Sequence, residues 1–332
     1  MKVLFVGLGS IAGRHIKNIK IIDQDIQIAL WRQLSKETDL GEVASLVSEV
    51  FFSEADAVGW KPDVVFVTNP APRHCQTALT FARNNCHLFI EKPLAVSEDG
   101  LDELAKEVAK RKLVAMVGYV LRFSEPMKIM KETIGKGLIG KPLSIRASVG
   151  QNLLDWRPGK DYQETVSSRS DLGGGVCFEL SHEIDYVRWL FGEVKELRAL
   201  FGKVGDLNID VEDLADILLK FDSGAYGNIH LDMVDQAKER SCRIVGSKGT
   251  LTWDSCDENR VRVFKADEGI WQDLYCSPSE DRNEMYIAQI KHFFDCIANN
   301  KQALVSLAQA RKVLQIVINI KNLEKDKKAI PV

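Results

Sequence analysis

The sequence lacks the features that would place it outside the ordinary globular class. Its 332 residues include 44 Lys and Arg against 47 Asp and Glu, a formal net charge of −3, and no basic run typical of nucleic-acid binding. No stretch reaches the roughly 18 uncharged apolar residues that span a bilayer, and no apolar signal segment follows the first residues. Only 9 prolines and 23 glycines exclude a low-complexity or collagen-like chain. We expect a cytoplasmic protein that acts on small molecules, without nucleic acid or membrane as partner.

Cysteine and histidine spacing gives no sign of a disulfide framework or a metal site. The 7 cysteines form no C-x-x-C pair, and their odd number argues against a secreted, disulfide-stapled protein. His74, His182 and His230 lack the short paired spacing of zinc ligands, so we expect metal-independent chemistry. Cys177 lies in a glycine-rich neighbourhood, but a small buried thiol is favoured over a nucleophile.

Residues 1–118 repeat one pattern, in which a short β-branched strand is followed by a turn and a helix. This pattern is typical of βαβ units and a parallel sheet. It predicts strands at 2–6, 27–31, 50–52, 63–68, 87–90 and 114–118, with helices at 11–20, 72–84 and 97–112. Residues 1–119 are therefore predicted to form a doubly wound Rossmann domain of the α/β class.

The remainder of the chain follows a different pattern. Helices are predicted at 124–135, 176–191, 283–299 and 306–323, and a strand at 142–149. Tight turns join the successive strands between 193 and 274, which favours antiparallel pairing because parallel crossovers need a dozen or more residues. We expect residues 120–332 to form an α+β domain for substrate binding and oligomerisation, with a large, mainly antiparallel open sheet. Such a sheet usually finds a partner, so a homodimer or homotetramer is expected.

A glycine-rich turn follows the first strand and opens the first helix. It reads G-x-G-x-x-A, with Gly7 for the tight turn and Gly9 for close approach of a pyrophosphate. Ala12 keeps the helix close to the strand, and the N–H groups at the helix start, including Ser10 and Ile11, face the phosphates. This arrangement predicts dinucleotide binding.

The second strand ends in Trp31-Arg32-Gln33 and not in the acid that binds the adenosine ribose of NAD. Arg32 suits a 2′-phosphate, and Trp31 offers a flat surface for adenine. NADP is therefore favoured over NAD. The alternative is that Arg32 is a solvated charge at the edge of the sheet.

Two segments at strand ends and one distal segment resemble a known family. They are Thr68-Asn69-Pro70 with His74, Glu91-Lys92-Pro93, and the run from Gly173-Gly174-Gly175 to His182-Glu183-Ile184-Asp185. Together with the glycine turn they resemble the Gfo/Idh/MocA family, over essentially the whole chain. The resemblance implies that NAD(H) or NADP(H) exchanges a hydride with a ring carbinol of a sugar, cyclitol or nucleotide-linked sugar. The residues around Trp156 resemble those of members found with surface-carbohydrate biosynthesis.

Hydride transfer needs a group that handles the hydroxyl proton close to the strand ends. We favour His182 as the general acid/base and Lys92 as the group that polarises the oxygen, although the reverse division stays open. Asp185 would hold the imidazole tautomer or bind a substrate hydroxyl. Many family members carry an aspartate four residues before this histidine, whereas Glu179 lies three before His182 and would share its helical face. His15 is expected to serve packing.

Further residues are expected to line the two ligands. The residues on the cofactor side, besides the glycine turn and Lys92, are Thr68, Asn69, Pro70, His74 and Glu91. The substrate contacts are expected to be Tyr119, Arg122, Trp156, Arg157, Tyr162 and Glu179. Trp156 and Tyr162 suit a sugar face, and Arg157 suits a carboxylate or phosphate. Alternative functions are a reductase of an imine or other carbonyl compound, an enzyme that recycles a tightly held cofactor, and an idle nucleotide-binding sensor or scaffold.

Overall fold

The chain divides into two compact units. The computed structural model describes residues 1–32, 40–157, 159–279 and 281–323. The first unit comprises Met1–Val120 and Asn283–Leu314, and the second comprises Leu121–Arg282 and the chain from Gln315. The predicted boundary after residue 119 puts the segment 283–314 in the second domain. The structure groups it with the first unit, because helix α8 (Asn283–Ala298) packs against helix α1 (Ser10–Ile22).

The first unit contains a six-stranded parallel sheet in the order β3-β2-β1-β4-β5-β6. Its strands are β1 (Lys2–Val6), β2 (Gln27–Trp31), β3 (Glu49–Phe51), β4 (Val64–Val67), β5 (His87–Ile90) and β6 (Ala115–Val117). Strand residues are buried almost throughout, as expected for a parallel sheet covered on both faces. The predicted doubly wound Rossmann domain is confirmed.

Helices α1, α2 (Glu54–Gly59), α3 (His74–Arg83) and α4 (Leu101–Lys110) connect these strands. Helix α4 begins four residues later than its predicted start at Ser97. The Ser97 hydroxyl bonds the Asp99 carboxylate, and Gly100, with φ of 77°, provides the left-handed residue before the helix.

The second unit contains an eight-stranded sheet in the order β14-β13-β12-β11-β7-β10-β9-β8. Its strands are β7 (Pro142–Gly150), β8 (Val194–Gly202), β9 (Leu214–Phe221), β10 (Tyr226–Asp232), β11 (Glu239–Gly246), β12 (Gly249–Asp254), β13 (Arg260–Lys265) and β14 (Ile270–Tyr275). Every neighbouring pair is antiparallel except β7 and β10, which are parallel. The predicted mainly antiparallel sheet is confirmed.

One face of this sheet is packed and the other is open. Strand β10 buries Ile229 and Leu231 on the packed face. On the open face, Tyr226 is 62% exposed, Leu218 on β9 is 57% exposed and Leu200 on β8 is 77% exposed. The alternation of buried and exposed residues along each strand produces the two faces.

The helices of the second unit are α5 (Glu125–Gly135), α6 (Val176–Glu179), α7 (His182–Phe191) and the end of α9 (Leu307–Leu323). The single helix predicted for 176–191 is interrupted after Glu179. Ser181 donates its hydroxyl to the Phe178 carbonyl oxygen at 2.8 Å, a local bond that competes with the helical pattern. Among the described residues, no helix is long and apolar enough to cross a membrane.

Candidate active site

The glycine turn between β1 and α1 has the shape of a phosphate cradle. Gly7 has φ of 88°, and a Cβ there would lie 3.0 Å from Asn69 Cα, so both conformation and space require glycine. A Cβ on Gly9 would meet nothing within 4 Å. Helix α1 has no side-chain cap and no acid in its first turn. The N–H groups at Ser10 and Ile11 are thus available to a pyrophosphate, which fits the predicted dinucleotide.

The end of β4 is fastened to this turn. Thr68 Oγ1 lies 3.0 Å from the main-chain oxygens of both Val6 and Gly7, and the Thr68 N–H donates to Val6 O. Asn69, which follows, donates from Nδ2 to Thr77 Oγ1 at 2.9 Å. These bonds fix the chain that enters the turn at Pro70, next to the cradle.

A buried histidine ties the loop after β4 to the loop after β5. His74 Nδ1 lies 2.8 Å from the Pro93 carbonyl oxygen, and Nε2 lies 2.7 Å from that of Asn69. Burial lowers the pKa of His74, although the two carbonyl contacts and the Glu91 charge oppose the fall. A neutral imidazole has one N–H, so it donates to one of the two carbonyls at a time.

The loop after β5 carries Lys92, whose peptide bond to Pro93 is cis. The side chain of Lys92 is half-buried, and its main-chain N–H donates to Glu91 Oε2 at 3.1 Å. Glu91 Oε1 lies 2.6 Å from His15 Nε2. A Cβ on Gly118, at the end of β6, would come within 3.0 Å of Glu91 Oε2, so this glycine leaves room for the carboxylate.

The end of β2 differs from the expectation for Trp31. Its indole is 5% exposed and packs edge-on against Phe81 with ring centroids 6.0 Å apart, so it presents almost no surface to an adenine. Arg32 is half-buried, and its main-chain N–H donates to Phe51 O at 2.9 Å. Of Trp31 and Arg32, Arg32 is therefore the side chain that is left for nucleotide recognition. Gln33 lies outside the described residues.

In the second unit, the glycine triplet is required by close packing. Gly173 has φ of 81° and Gly175 has φ of 100°. A Cβ on Gly174 would overlap the Val166 carbonyl oxygen, and one on Gly175 would lie 2.6 Å from Glu212 Oε1. The triplet therefore lets the chain pass close to two neighbouring segments before α6 begins.

Glu212 was not among the residues predicted from the sequence, because it belongs to no motif. Its main-chain oxygen accepts from Val176 N at 3.0 Å, and its Oε1 accepts from Cys177 N at 3.3 Å. Oε2 accepts from Lys321 Nζ at 2.8 Å. Cys177 itself is fully buried, and burial raises the pKa of its thiol, so the thiol stays protonated.

His182 is the first residue of α7 and is half-buried. Glu179 ends the separate helix α6, so the break between them removes the continuous helical face on which the two were predicted to lie together. Glu179 Oε2 instead accepts from Ser167 Oγ at 2.8 Å. The carboxylate is thereby attached to the segment that packs against the glycine triplet.

Arg122 and Asp185 bind each other. Arg122 Nε and an amino group of its guanidinium donate to the two oxygens of Asp185 at 2.8 and 2.6 Å, and both side chains are 1% exposed. Burial raises the pKa of Asp185, and the charge of Arg122 opposes the rise. The expected contacts of Arg122 with substrate and of Asp185 with the imidazole are thus replaced in the described contacts by a buried ion pair. Tyr119 is also fully buried.

The aromatic and basic residues before the glycine triplet come together. Trp156, Arg157 and Tyr162 line one small recess with Lys160 and Ser167. The Trp156 indole N–H donates to Gln151 O at 3.0 Å, and the Tyr162 hydroxyl accepts the Asn208 N–H at 3.1 Å, so both rings are fixed. Pro158 lies outside the described residues. The described part of the chain contains no group of three or more side chains that could hold a metal ion.

Comparisons with known proteins agree with this arrangement. Residues 1–119 match the oxidoreductase family with an NAD-binding Rossmann fold, and residues 127–252 match the GFO/IDH/MocA C-terminal domain. The chain belongs to the Gfo/Idh/MocA family. The resemblance expected from the strand-end segments is confirmed, and the first domain of this oxidoreductase is an NAD-binding domain.

Members of the Gfo/Idh/MocA family similar to this chain include several dehydrogenases. Myo-inositol 2-dehydrogenase from Thermotoga maritima is 25% identical over an alignment of 350 residues, which covers 99% of this chain and 98% of that protein. A levoglucosan dehydrogenase in complex with NADH has a TM-score of 0.87 at 18% identity, over 98% of this chain and 97% of that one. The WlbA dehydrogenase from Bordetella pertussis, in complex with NADH and UDP-GlcNAcA, has a TM-score of 0.83 at 20% identity, over 100% of this chain and 98% of that one. The two structures show the shared fold.

Proposed function

We propose that this Gfo/Idh/MocA protein transfers a hydride between a nicotinamide nucleotide and a ring carbinol or ketone of a sugar, cyclitol or nucleotide-linked sugar. The observation that carries the proposal is the uncapped start of α1 beside the open space at Gly9, in the same unit as the buried loop that holds Lys92. The inositol dehydrogenase that spans almost the whole chain supports the substrate class. The bound nucleotide supplies or accepts the hydride at its nicotinamide ring.

The chain's own groups bind the nucleotide and handle the proton. We propose that Lys92 polarises the reacting oxygen through its ammonium group, and that His182 accepts or returns the hydroxyl proton. Asn69 and His74 hold the loop after β4, which orients the nicotinamide side of the nucleotide. We propose that Asp185 acts through Arg122 to fix α7, and so acts as a positioning residue.

The finer cofactor proposal is a preference for NADP(H) over NAD(H). It is supported by the absence of an acid at the end of β2 and by the half-buried Arg32, a partner for a 2′-phosphate. Arg32→Ala should weaken NADPH binding much more than NADH binding, measured by titration of nicotinamide fluorescence. Equal losses for the two nucleotides would remove the 2′-phosphate argument.

The side chains around the Trp156 recess support a finer substrate proposal. The recess itself has space of only about 10 Å³, too little for a sugar ring, so the support comes from the residue types that surround it. Trp156 and Tyr162 offer aromatic surface to a sugar ring, and Arg157 with Lys160 offers positive charge for a carboxylate or phosphate on the substrate. We therefore propose an acidic sugar or nucleotide-linked sugar as the substrate, and a role in surface-carbohydrate biosynthesis.

The open face of the eight-stranded sheet supports a homodimer or homotetramer. Leu200, Leu218 and Tyr226 expose large apolar side chains on neighbouring strands, and such patches mark protein contact surfaces. The free state of all 7 cysteines fits a reducing compartment, so we propose a cytoplasmic location.

The function is tested by turnover. The purified protein is first titrated with NADH and NADPH, and then assayed at 340 nm against inositols, free sugars, sugar acids and UDP-sugars. Turnover of at least one member, best with an acidic one, is the expected result. Tight nucleotide binding without turnover of any compound in the panel contradicts the proposal and favours a nucleotide sensor.

A further inference from the structure

We propose that the buried His15–Glu91 pair is a positioning unit for Lys92, reaching it from the helix that cradles the nucleotide phosphates. The inference rests on the proposed function, since it assigns His15 a task in the reaction there. The sequence suggested only packing for this histidine. All of the residues that carry the argument lie in the first unit.

The pair is enclosed by protein. His15 is fully buried on α1, and the side chain of Glu91 is 11% exposed. The imidazole has Phe66, Phe89 and Tyr286 around it at ring-centroid distances of 5.5, 5.1 and 6.0 Å. These rings fix its plane and exclude water, so its contact with the carboxylate is stronger than a contact at the surface.

The two oxygens of Glu91 serve two different partners. Oε1 accepts a hydrogen bond from His15 Nε2 at 2.6 Å, and Oε2 accepts one from the main-chain N–H of Lys92 at 3.1 Å. Because the carboxylate is planar, the histidine that fixes one oxygen also fixes the other. The carboxylate in turn fixes the main chain from which the Lys92 side chain starts.

The tautomer of His15 has a consequence for its role. A carboxylate accepts, so Nε2 carries the proton that it donates, and in the neutral ring Nδ1 is left as an acceptor. Within the described residues Nδ1 is buried and has no hydrogen-bond partner. Packing alone would be served better by an apolar side chain here, so the hydrogen bond to Glu91 is what a histidine adds.

The position of His15 on α1 connects the two parts of the site. The first turn of α1 offers its N–H groups to the pyrophosphate, and His15 lies five residues after Ser10 on the same rigid helix. The helix that fixes the nucleotide therefore also fixes Glu91, and through it the start of Lys92. Misplacement of a reacting group by about 1 Å can reduce the rate about 100-fold, so the position of Lys92 relative to the nucleotide matters for the chemistry.

The test compares three variants with a matched control. His15→Leu fills the space but removes the donor, His15→Gln restores a donor, and Glu91→Gln keeps the shape but not the charge. His87→Leu is the control, because His87 begins the same strand β5, is half-buried, and accepts the Val114 N–H through Nδ1. It perturbs the strand at the end away from Lys92.

The activity readouts separate positioning from packing. On the best compound of the substrate panel we expect His15→Leu and Glu91→Gln to lower kcat about 10–100-fold, and His15→Leu to keep the Kd for NADH within about threefold of wild type. The primary deuterium isotope effect on kcat should rise, because hydride transfer becomes rate-limiting. His15→Gln should recover most of kcat, and His87→Leu should change it less than about threefold.

A readout without substrate keeps the inference separate from the proposed function. Trace acetylation followed by mass spectrometry gives the reactivity of Lys92 relative to the exposed Lys110. We expect this ratio to change at least about threefold in His15→Leu and Glu91→Gln, and not in His87→Leu. An unchanged ratio, or losses of kcat that are equal in His15→Leu and His87→Leu, overturns the positioning role. A wild-type protein that turns over nothing in the panel overturns the proposed function, while the labelling ratio still decides the role of His15.

Discussion

The buried pair of Arg122 and Asp185 makes the sharpest prediction about stability. Asp185→Asn keeps the size of the side chain but removes its charge, and it turns one acceptor oxygen into an amide that faces the guanidinium N–H groups of Arg122. Both side chains are 1% exposed, so water cannot replace the lost acceptor. Arg188 is a second cation whose charge acts on this carboxylate, but it has its own partner in Glu193 at 2.8 Å, so the charge left without compensation is that of Arg122.

The magnitude follows from the burial and the two-bond geometry. Removing one partner of a buried ion pair costs about 3–5 kcal/mol, because the other charge stays buried without compensation. For a unit of this size each kcal/mol lowers the unfolding midpoint by about 2–4 °C, so the midpoint should fall by about 6–20 °C. Replacement of both partners, as Arg122→Met with Asp185→Leu, should cost much less than either single change, because no charge is then left buried.

Thermal and urea unfolding, followed by circular dichroism with and without NADH, measure these effects. The matched control is Asp171→Asn, which breaks the ion pair to Arg169 on the surface and should leave the midpoint unchanged within error. An Asp185→Asn protein that unfolds like wild type while its kcat falls 100-fold would contradict the structural role of the pair. That result would mean that Asp185 acts directly on the reacting groups.

Three further predictions test other parts of the structure. Gly174→Ala places a Cβ against the Val166 carbonyl oxygen and should lower the free energy of unfolding by about 1–3 kcal/mol in urea titrations; no change would contradict the packing role of the triplet. Because the pKa of His74 is lowered in the folded protein, the stability that this residue contributes is fully present above pH 6.5, its ordinary pKa. That contribution decreases as the pH falls below this value. Between pH 7.5 and 5.5 the unfolding midpoint should thus fall less in His74→Gln than in wild type, and equal slopes would contradict the shift. Lys92→Met should keep NADH binding and lower turnover at least about 100-fold, and unchanged turnover would refute its role.

The regular parts of the fold were predictable because their signals are local. Strands Lys2–Val6, Gln27–Trp31 and His87–Ile90 have the predicted bounds. A run of β-branched and aromatic residues between turn signals specifies a strand without reference to distant residues. The bounds of helices were less predictable, since single polar side chains decide them. Ser97 and Ser181 each make a local hydrogen bond that delays or interrupts a helix.

The partners of the polar side chains were not predictable in the same way. Trp31 was expected at the nucleotide but packs against Phe81, because the face of a strand that a helix covers depends on tertiary structure. Glu212 carries no motif, yet its carboxylate occupies the space that Gly175 leaves. Neither contact can be predicted from the residues next to Trp31 or Glu212 in the sequence.

The sequence by itself determined the two kinds of sheet, the phosphate-binding turn and the family, because each of them follows from the type and spacing of residues within short segments. Only the tertiary structure decided which charged and polar groups meet. His15 and Glu91 are 76 residues apart, and Arg122 and Asp185 are 63 apart. Strand order and helix packing bring such residues together, and neither is encoded in the local pattern that a sequence displays.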